Sequence, residues 1–345
     1  MGVCDHTSWL SLHGEGGIQM QRTDRLTNIV TALDAPAQKW PSLILLLGHS
    51  GNASMMREIL PRERKRGSRQ ARNAVHLQLD TETAFSDRPM LFTYGDTPKQ
   101  ITFDPEPAPA LCHGAASMAL AWSDPTPAEA LNALYYRLLY PFAGVVCLFM
   151  SHAEGLDGVA ERLQLWCGLW RPSTSNLAAR PRLLVVCDPN DTRSSEIVYA
   201  QLVKLLNQQS GHTHNHYFSS ISVFAQSSSH MKLKDRIRRE ADISHNGRAH
   251  HHLLLNAIHL DHFFNYACER FVSSVQEPFD FVSASRLHRP VSTDMITHLA
   301  DLLTYTKSYE EIKRCVAPLV AEYLVLDYYT YEVHCKLPFP LVYLS

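Results

Sequence analysis

Paired cysteines are missing from this sequence. Its eight cysteines occur singly across 345 residues and form no CxxC motif. Two of them, Cys147 and Cys187, lie inside apolar runs, which is typical of buried free thiols in a reducing compartment. The sequence also lacks a basic-then-apolar signal peptide, and no apolar run reaches the roughly 18 residues that a membrane span requires. These absences predict a cytoplasmic location and no transmembrane segment.

A strong charge of either sign is likewise absent. The formal net charge is -2 with the histidines neutral, which argues against a general electrostatic attraction to nucleic acid or to an anionic membrane. Apolar residues make up 45% of the chain and charged residues 19%, a composition typical of globular domains. We therefore expect one large domain or two ordinary ones, with enough apolar material for a core.

One stretch, Ser42 to Leu60, organises the rest of the sequence. An apolar run breaks at Gly48, turns through Gly51 and Asn52, and then resumes at helical spacing. This pattern predicts a buried strand, a tight turn and a helix. Two kinds of functional turn have that outline, the phosphate loop and the nucleophile elbow.

The phosphate loop, GxxxxGK[ST], binds phosphate through backbone N–H groups, a lysine and a hydroxyl that holds Mg²⁺. Counted from Gly48, its second glycine falls on Ala53, its lysine on Ser54 and its Ser/Thr on Met55. Loss of the lysine and the hydroxyl weakens both charge terms that nucleotide hydrolysis needs. Because backbone N–H groups remain, we expect at most weak binding of GTP or ATP. The predicted nucleotide-binding residues are Gly48, His49, Ser50, Gly51, Asn52, Ala53 and Ser54.

The nucleophile elbow GxSxG of α/β-hydrolases matches residues 48–52 except at Asn52, where the motif has glycine. In this alternative Ser50 is the nucleophile of a serine hydrolase or lipase-type enzyme, and the fold must supply a histidine and an acid. The context is unfavourable, because an elbow usually follows several strands. The 41 residues before Ser42 show no clear strand pattern.

The segments after this turn alternate between strand and helix patterns. Apolar or alternating runs predict strands at 75–79, 90–94, 143–150, 182–187 and 220–224, with helices from Pro127 and over 155–167 and 194–208. Such alternation predicts an α/β fold, a mostly parallel P-loop NTPase-like (small-GTPase-like) sheet flanked by helices. We expect an entry segment at 1–40, this α/β domain at 41–228 and an α-helical C-terminal region at 229–345.

Histidines are concentrated in the predicted helical region. They are His245, His250, His251, His252, His259 and His262. His259 and His262 lie one turn apart on a predicted helix, where they could share a metal ion with His252. Zinc sites normally show tighter motifs, often with cysteine or carboxylate ligands. The pattern therefore favours a surface run of histidines, and we predict no metal site.

Several stretches carry one resemblance. They are CDHTSW at 4–9, PSLILLLGHSG at 41–51, RPMLF at 88–92, YRLLY at 136–140, VVC at 145–147, PFDFVSASR at 278–286 and APLVA at 317–321. These stretches are similar to a P-loop-like region that precedes a patatin-type (lysophospholipase-like) domain in a group of fungal proteins. The resemblance implies a GTPase-like module with a helical extension, placed ahead of a lipid hydrolase.

The chain differs from that family at the positions where nucleotide-binding and metal-binding residues are expected. Intact members have a turn like GHTGAGKS, whereas this chain has Ala53, Ser54 and Met55. A metal-organising carboxylate is expected after the 88–92 stretch, where Asp96 would serve only with a register shift. Residues 188–191 (DPND) lie where a guanine-reading NKxD loop is expected.

That NKxD pattern is not met, and Asp188 or Asn190 is interpreted as a helix cap. No later GxSxG occurs, so the patatin catalytic domain is expected to be absent. The sequence thus predicts a non-catalytic, degenerate P-loop module with a regulatory or interaction role. It implies a protein partner that it does not identify, and no resident cofactor. The serine hydrolase using Ser50 stays open as the alternative.

Overall fold

The computed structural model describes twelve ranges of the chain: residues 6–14, 17–48, 53–60, 74–95, 114–122, 125–150, 155–169, 176–209, 217–226, 231–285, 294–306 and 308–321. The chain divides into two compact units, Met1–Asp280 and Phe281–Ser345. The first unit contains a nine-stranded sheet with helices packed on it. It also contains every site residue predicted from the sequence.

The sheet is built from strands of five to seven residues. They are β1 (Ser8–His13), β2 (Gln19–Thr23), β3 (Ser42–Leu47), β4 (Ala74–Leu79), β5 (Met90–Gly95), β6 (Ala115–Ala119), β7 (Ala143–Phe149), β8 (Arg182–Val186) and β9 (Ser220–Phe224). Their order across the sheet is β6-β2-β1-β4-β5-β3-β7-β8-β9. The five strands predicted after the turn are therefore confirmed, each within one or two residues at its ends.

The prediction of a mostly parallel sheet is wrong for the sheet as a whole. The pairings β5–β3, β3–β7, β7–β8 and β8–β9 are parallel. The pairings β6–β2, β2–β1, β1–β4 and β4–β5 are antiparallel. The fold is thus α/β with a mixed sheet, in which a parallel half continues into an antiparallel half.

Three strands of the antiparallel half, β1, β2 and β6, lie in segments whose strands the sequence pattern did not reveal. Residues 1–40, expected to be only an entry segment, contain the β1–β2 hairpin and a helix, α1 (Arg25–Ala32). β1 is buried along nearly its whole length, and the polar residues Ser11 and His13 interrupt its apolar run. This interruption hides the strand, because the usual signals are strict alternation or a continuous apolar run.

Helices cover both faces of the sheet. They are α2 (Ala53–Ile59), α3 (Pro127–Ala133), α4 (Gly155–Leu169), α5 (Ser195–Gln209), α6 (Leu233–His250) and α7 (Ala257–Ser273). One face is covered by α2 and α6, which share a buried cluster with Ile44 and Leu46 of β3. The alternate residues Leu43, Leu45 and Leu47 point to the other face and are also buried. β3 is therefore the centre of the core.

Two predicted features of the helices are confirmed and one boundary differs. Thr126 caps α3 in a capping box with Glu129, as its position before Pro127 predicted. The helical pattern after residue 229 is also present, but α6 packs on β7, β8 and β3. The change at 228/229 is thus a change of secondary structure inside the first unit, which continues to Asp280.

The second unit is helical where it is described. It contains α8 (Phe281–Ser285), α9 (Asp294–Thr304) and α10 (Tyr309–Glu311), and a π-helical segment follows at Ile312–Val316. Among all the described helices of the chain, none is both long enough and apolar enough to cross a membrane.

Candidate functional site

The predicted functional turn follows β3, an interior strand of the sheet. β3 lies between β5 and β7 and is parallel to both. Its residues Leu43 to Leu47 are almost completely buried, as expected for a continuous apolar run covered on both faces. In open parallel sheets, ligands bind at the carboxyl ends of the strands. The turn after Leu47 therefore occupies the position where a ligand site is expected.

Gly48 ends this strand in a conformation that favours glycine. Its φ is +79°, in the left-handed region that a side chain with a Cβ rarely adopts. The following predicted binding residues, His49, Ser50, Gly51 and Asn52, lie outside the described part of the chain. Ala53 and Ser54 are the first two residues of α2, which has only seven residues. The predicted strand and the predicted helix are therefore confirmed, and the turn between them stays a prediction.

Met55 falls at the Ser/Thr position when the phosphate-loop template is counted from Gly48, and its side chain is buried. It is 3% exposed and belongs to the core cluster, together with Phe92 of β5 and Ile237 of α6. A thioether in that environment makes apolar contacts and offers no oxygen ligand for a hard cation. The substitution is therefore part of the packing of the fold.

A cavity of about 450 Å³ lies beside Met55, between α2, the end of β9 and the start of α6. Its lining residues are Met55, Glu58, Phe224, Gln226, Met231, Lys232 and Leu233. Glu58 is engaged in the structure, because its Oε1 accepts a hydrogen bond of 3.0 Å from the backbone N–H of Leu233. The cavity is mainly apolar, and its half-buried carboxylate is already used to hold α6.

In the loop after β8, Asp188 and Asn190 form a turn of their own and do not cap the following helix. The Oδ1 of Asp188 accepts hydrogen bonds from the backbone N–H and the side-chain Nδ2 of Asn190, at 2.8 and 3.0 Å. This Asx-type turn precedes α5 by several residues. The Oγ of Ser194 accepts from the N–H of Ile197, so the helix is capped there. The interpretation of Asp188 or Asn190 as a cap is therefore wrong.

Asp191, which follows this Asx-type turn, is already paired. Arg193 approaches its carboxylate with two nitrogens: Nε lies 2.9 Å from Oδ1, and Nη2 lies 2.6 Å from Oδ2. The Asp191 side chain is 9% exposed and that of Arg193 is 38% exposed, so the guanidinium covers the carboxylate. Hydrogen bonds from Arg193 hold the pKa of Asp191 below its usual range. Sequence reasoning missed Arg193, although its i+2 spacing from Asp191 was visible.

The histidines singled out in the sequence do not gather into a metal site. His245 is buried, whereas His250, His251, His252, His259 and His262 are exposed. Within the described ranges, no group of three His, Cys, Asp or Glu side chains could hold a metal ion. Burial is the main cause that lowers the pKa of His245. The prediction of a surface run therefore holds for five of the six.

Ser50, the nucleophile of the hydrolase alternative, lies outside the described ranges. Asp96, the displaced candidate for the metal-organising carboxylate of the GTPase-like module, also lies outside them. One argument used against the elbow is wrong, because two strands, β1 and β2, do precede β3. The proposal that Ser50 is a nucleophile stays a prediction, which reaction with a fluorophosphonate probe and its loss in Ser50→Ala would test.

Comparisons with known proteins add no identity to this site. No protein-family model matches the chain, and no curated protein matches it either.

Proposed function

We propose that the chain is a non-catalytic, degenerate P-loop module of the small-GTPase-like kind, which acts through a protein partner and binds nucleotide at most weakly. The arrangement of six neighbouring strands, β4-β5-β3-β7-β8-β9, supports this proposal. The strand before the turn is central, five of the six strands are parallel, and β4 is the antiparallel one. These are the six strands whose alternation with helices along the chain predicted a small-GTPase-like sheet.

The burial of Met55 is the observation that carries the proposal. A Mg²⁺ ion bound with a nucleotide needs oxygen ligands around it, and this position supplies none. Met55 belongs to the buried cluster that also contains residues of α6 and β5, so its side chain contributes apolar surface at this position. With Ser54 in place of the lysine, the turn also lacks the positive charge that stabilises the transferred phosphoryl group.

The Asp191–Arg193 pair supports the same proposal from the other side of the expected site. β8 lies two strands from β3, with β7 between them. A carboxylate at the end of β8 recognises planar N–H donors best when it is free to accept two hydrogen bonds. Arg193 takes both oxygens of Asp191. Both ends of the expected nucleotide site thus serve internal contacts, which favours an interaction role for the module.

A restoration experiment tests the proposal. The triple variant Ala53→Gly, Ser54→Lys and Met55→Thr rebuilds the phosphate loop, and thermal melting with and without Mg²⁺ and GTP or ATP measures binding. Ligand at about 100 times its Kd stabilises a protein by about 2.7 kcal/mol. We expect millimolar nucleotide to leave the melting temperature of the native chain unchanged and to raise that of the variant.

A matched control separates binding from loss of packing. Met56 neighbours Met55 on α2 and is equally buried, at 3% exposure. Ala53→Gly, Ser54→Lys with Met56→Thr therefore creates a similar defect in the core and leaves the Mg²⁺ position unrepaired. A melting shift of several degrees in the native chain would refute the expectation of at most weak nucleotide binding, and phosphate release by the native chain would refute the non-catalytic assignment.

A further inference from the structure

The strand β6 (Ala115–Ala119) lies at one edge of the nine-stranded sheet and has a neighbour, β2, on one side. Four of its five residues are exposed, and Met118 is half-buried. The strand at the other edge of the sheet, β9, is buried or half-buried along its whole length. Of the two edges, the one formed by β6 is therefore the open one.

Hydrogen bonds at the two ends of β6 show which of its backbone groups face β2. The carbonyl of Gly114 accepts from the N–H of Asp24, and the N–H of Leu120 donates to the carbonyl of Ile18, each at 3.0 Å. In an antiparallel pair, both backbone groups of a residue point to the same side, and successive residues alternate between the two sides. The register between β6 and β2 is continuous, so the even-numbered residues of β6 face β2.

The odd-numbered residues Ala115, Ser117 and Ala119 consequently direct their N–H and C=O groups away from β2. Ala121, the next residue in this row, agrees with that direction, because its N–H donates to the carbonyl of Val272 on α7 at 2.7 Å. Among the described residues, none forms a hydrogen bond with the backbone of the other three. A row of unpaired backbone groups at a sheet edge is a template for another strand.

β6 has none of the features within its own sequence that usually prevent a sheet edge from pairing. Those features are charged side chains, proline and β-bulges. The sequence of β6, AASMA, contains no charged residue and no proline, and its pairing with β2 shows no bulge. The carbonyl of Val272 covers the edge at Ala121, two residues beyond the end of the strand. The outward side of β6 can therefore accept a strand along its length.

The outward row of β6 is its own complement in an antiparallel pair. When Ser117 lies opposite its counterpart in a second copy, Ala115 lies opposite Ala119, and each of the three residues donates one hydrogen bond and accepts one. Ala116 then lies opposite Met118, so that a small side chain meets a large one. A charged residue at the centre would lie opposite itself and repel, and β6 has none. A second copy of the chain therefore fits this edge.

We propose that two copies of the chain pair their β6 strands antiparallel about a two-fold axis at Ser117, which joins their sheets into one. An interface built on one short strand buries less area than a standard interface, so the dimer is weak and is half-formed at about 10–100 µM protein.

The β6 edge is far from the predicted nucleotide turn. The strands β2, β1, β4 and β5 lie between β6 and β3, which corresponds to about 24 Å at about 4.8 Å per strand. GTP or ATP with Mg²⁺ should therefore leave the association of the chain unchanged. The dimer and the nucleotide site can thus be tested separately.

Sedimentation equilibrium with the full chain tests this proposal. We expect the weight-average mass to rise from 39.0 kDa toward twice that value as the protein concentration increases over about 1–300 µM. Hydrogen exchange identifies the strand, because the outward amides of Ala115, Ser117 and Ala119 should exchange more slowly as the dimer forms. The amides of Ala116 and Met118, which face β2, should exchange at a rate that does not depend on protein concentration.

Substitutions at Ser117 assign the dimer to β6. Ser117→Pro removes the outward N–H and both hydrogen bonds of the central pair, and should weaken the dimer at least about tenfold. Its fold should be retained, because proline is tolerated in an edge strand where the N–H faces outward. Circular dichroism checks that this variant and those below are folded.

A charge-reversal pair tests the two-fold axis. Ser117→Lys and Ser117→Glu each place like charges opposite one another, so each variant alone should stay monomeric where the native chain dimerises. A mixture of the two places opposite charges at the axis and should associate again. Ala200→Lys adds a charge at an exposed position on α5 and should leave the dimer unchanged.

Four results would overturn the proposal. The first is a mass that stays at 39.0 kDa over the whole concentration range. The second is a dimer that Ser117→Pro and Ser117→Lys leave undiminished, since its interface would then lie elsewhere. The third is a mixture of the Lys and Glu variants that does not associate. The fourth is slow exchange of the Ser117 amide at the lowest concentration, which would show that the chain itself covers this edge.

Discussion

Glu58 on α2 caps the first turn of α6 through its hydrogen bond to the backbone N–H of Leu233. The first four N–H groups of a helix have no partner within the helix, so an acceptor must come from elsewhere. Here it comes from the short helix that follows the predicted phosphate turn. Met55, one turn earlier on the same helix, packs in the core with Ile237 of α6. α2 thus links the predicted turn to α6 through a hydrogen bond and through shared apolar packing.

Removing this hydrogen bond should destabilise the fold measurably. We expect Glu58→Ala to lower the free energy of unfolding by about 0.5–2 kcal/mol, the range found for lost helix caps. Glu58→Gln keeps an oxygen acceptor and should cost less. Urea unfolding followed by circular dichroism measures both. Equal stability of Glu58→Ala and the native chain would show that the contact between the helices contributes nothing.

Gly95, the last residue of β5, leaves room for the phenol of Tyr135. A Cβ added at Gly95 would overlap the Oη of Tyr135 and would lie 3.4 Å from the carbonyl oxygen of Ala74. Tyr135 is almost fully buried and cannot move away freely. Gly95→Ala should therefore cost about 1–3 kcal/mol, as overpacking typically does.

A double-mutant cycle tests the origin of that cost. If the overlap with the hydroxyl is responsible, Gly95→Ala with Tyr135→Phe should lose less stability than the sum of the single changes. Gly17→Ala is the control, since nothing lies within 4 Å of the added Cβ there. Strict additivity would place the strain elsewhere in the strand.

A strand could be predicted from the sequence when its own residues show that it is buried, and could not when its burial depends on residues far away in the chain. β3 and β7 are continuous apolar runs, because both of their faces are covered, and they were predictable from the sequence. β1 was not, because its burial depends on distant contacts. Trp9 of β1 stacks on Phe264 of α7 at a centroid distance of 4.3 Å. No local pattern reports such a pair.

The candidate site could likewise be predicted only in part. The strand and helix around Gly48 were predictable from spacing alone. That Met55 points into the core, and that Arg193 covers Asp191, depends on the packing of β8, α2 and α6. A motif comparison reports that Met55 cannot bind Mg²⁺. It does not report that the Met55 side chain is part of the buried core.

The ion pair between Lys234 of α6 and Asp80, which follows β4, should be costly to break. Its Nζ–Oδ1 distance is 2.9 Å, and the two side chains are 10% and 4% exposed. Lys234→Met leaves the Asp80 carboxylate buried without its cation, and removal of one partner of a buried pair typically costs about 3–5 kcal/mol. Lys232→Met, at an exposed position two residues earlier, should change stability by less than about 0.5 kcal/mol.

The same pair gives stability a dependence on alkaline pH. Burial lowers the pKa of Lys234, but the hydrogen bonds to Glu82 and Asp80 outweigh it, so the pKa is raised above 10.5. The folded chain then holds this proton more tightly than the unfolded chain. The contribution is complete below 10.5 and is lost as the pH rises through the folded pKa. Unfolding curves between pH 9 and 12 should show this loss in the native chain and not in Lys234→Met.

Acid should destabilise the first unit through its buried histidines. His13 of β1 and His245 of α6 are 5% and 7% exposed, and burial lowers the pKa of each below 6.5. The unfolded chain therefore binds protons more readily than the folded chain just below that value. Stability is fully present above pH 6.5 and falls as the pH decreases through the two folded pKa values. Each unit by which a pKa is lowered corresponds to about 1.4 kcal/mol.

This acid dependence is measured best as a difference between two pH values. Urea unfolding at about pH 7.5 and about pH 5 should show a smaller loss of stability in His245→Gln than in the native chain, whatever the substitution costs at neutral pH. His250→Gln removes an exposed imidazole from the same helix and should leave the difference unchanged. If both variants lose as much stability as the native chain on acidification, protonation of His245 does not contribute. The buried His13 or the carboxylates would then carry the effect, and His13→Gln would separate these two causes.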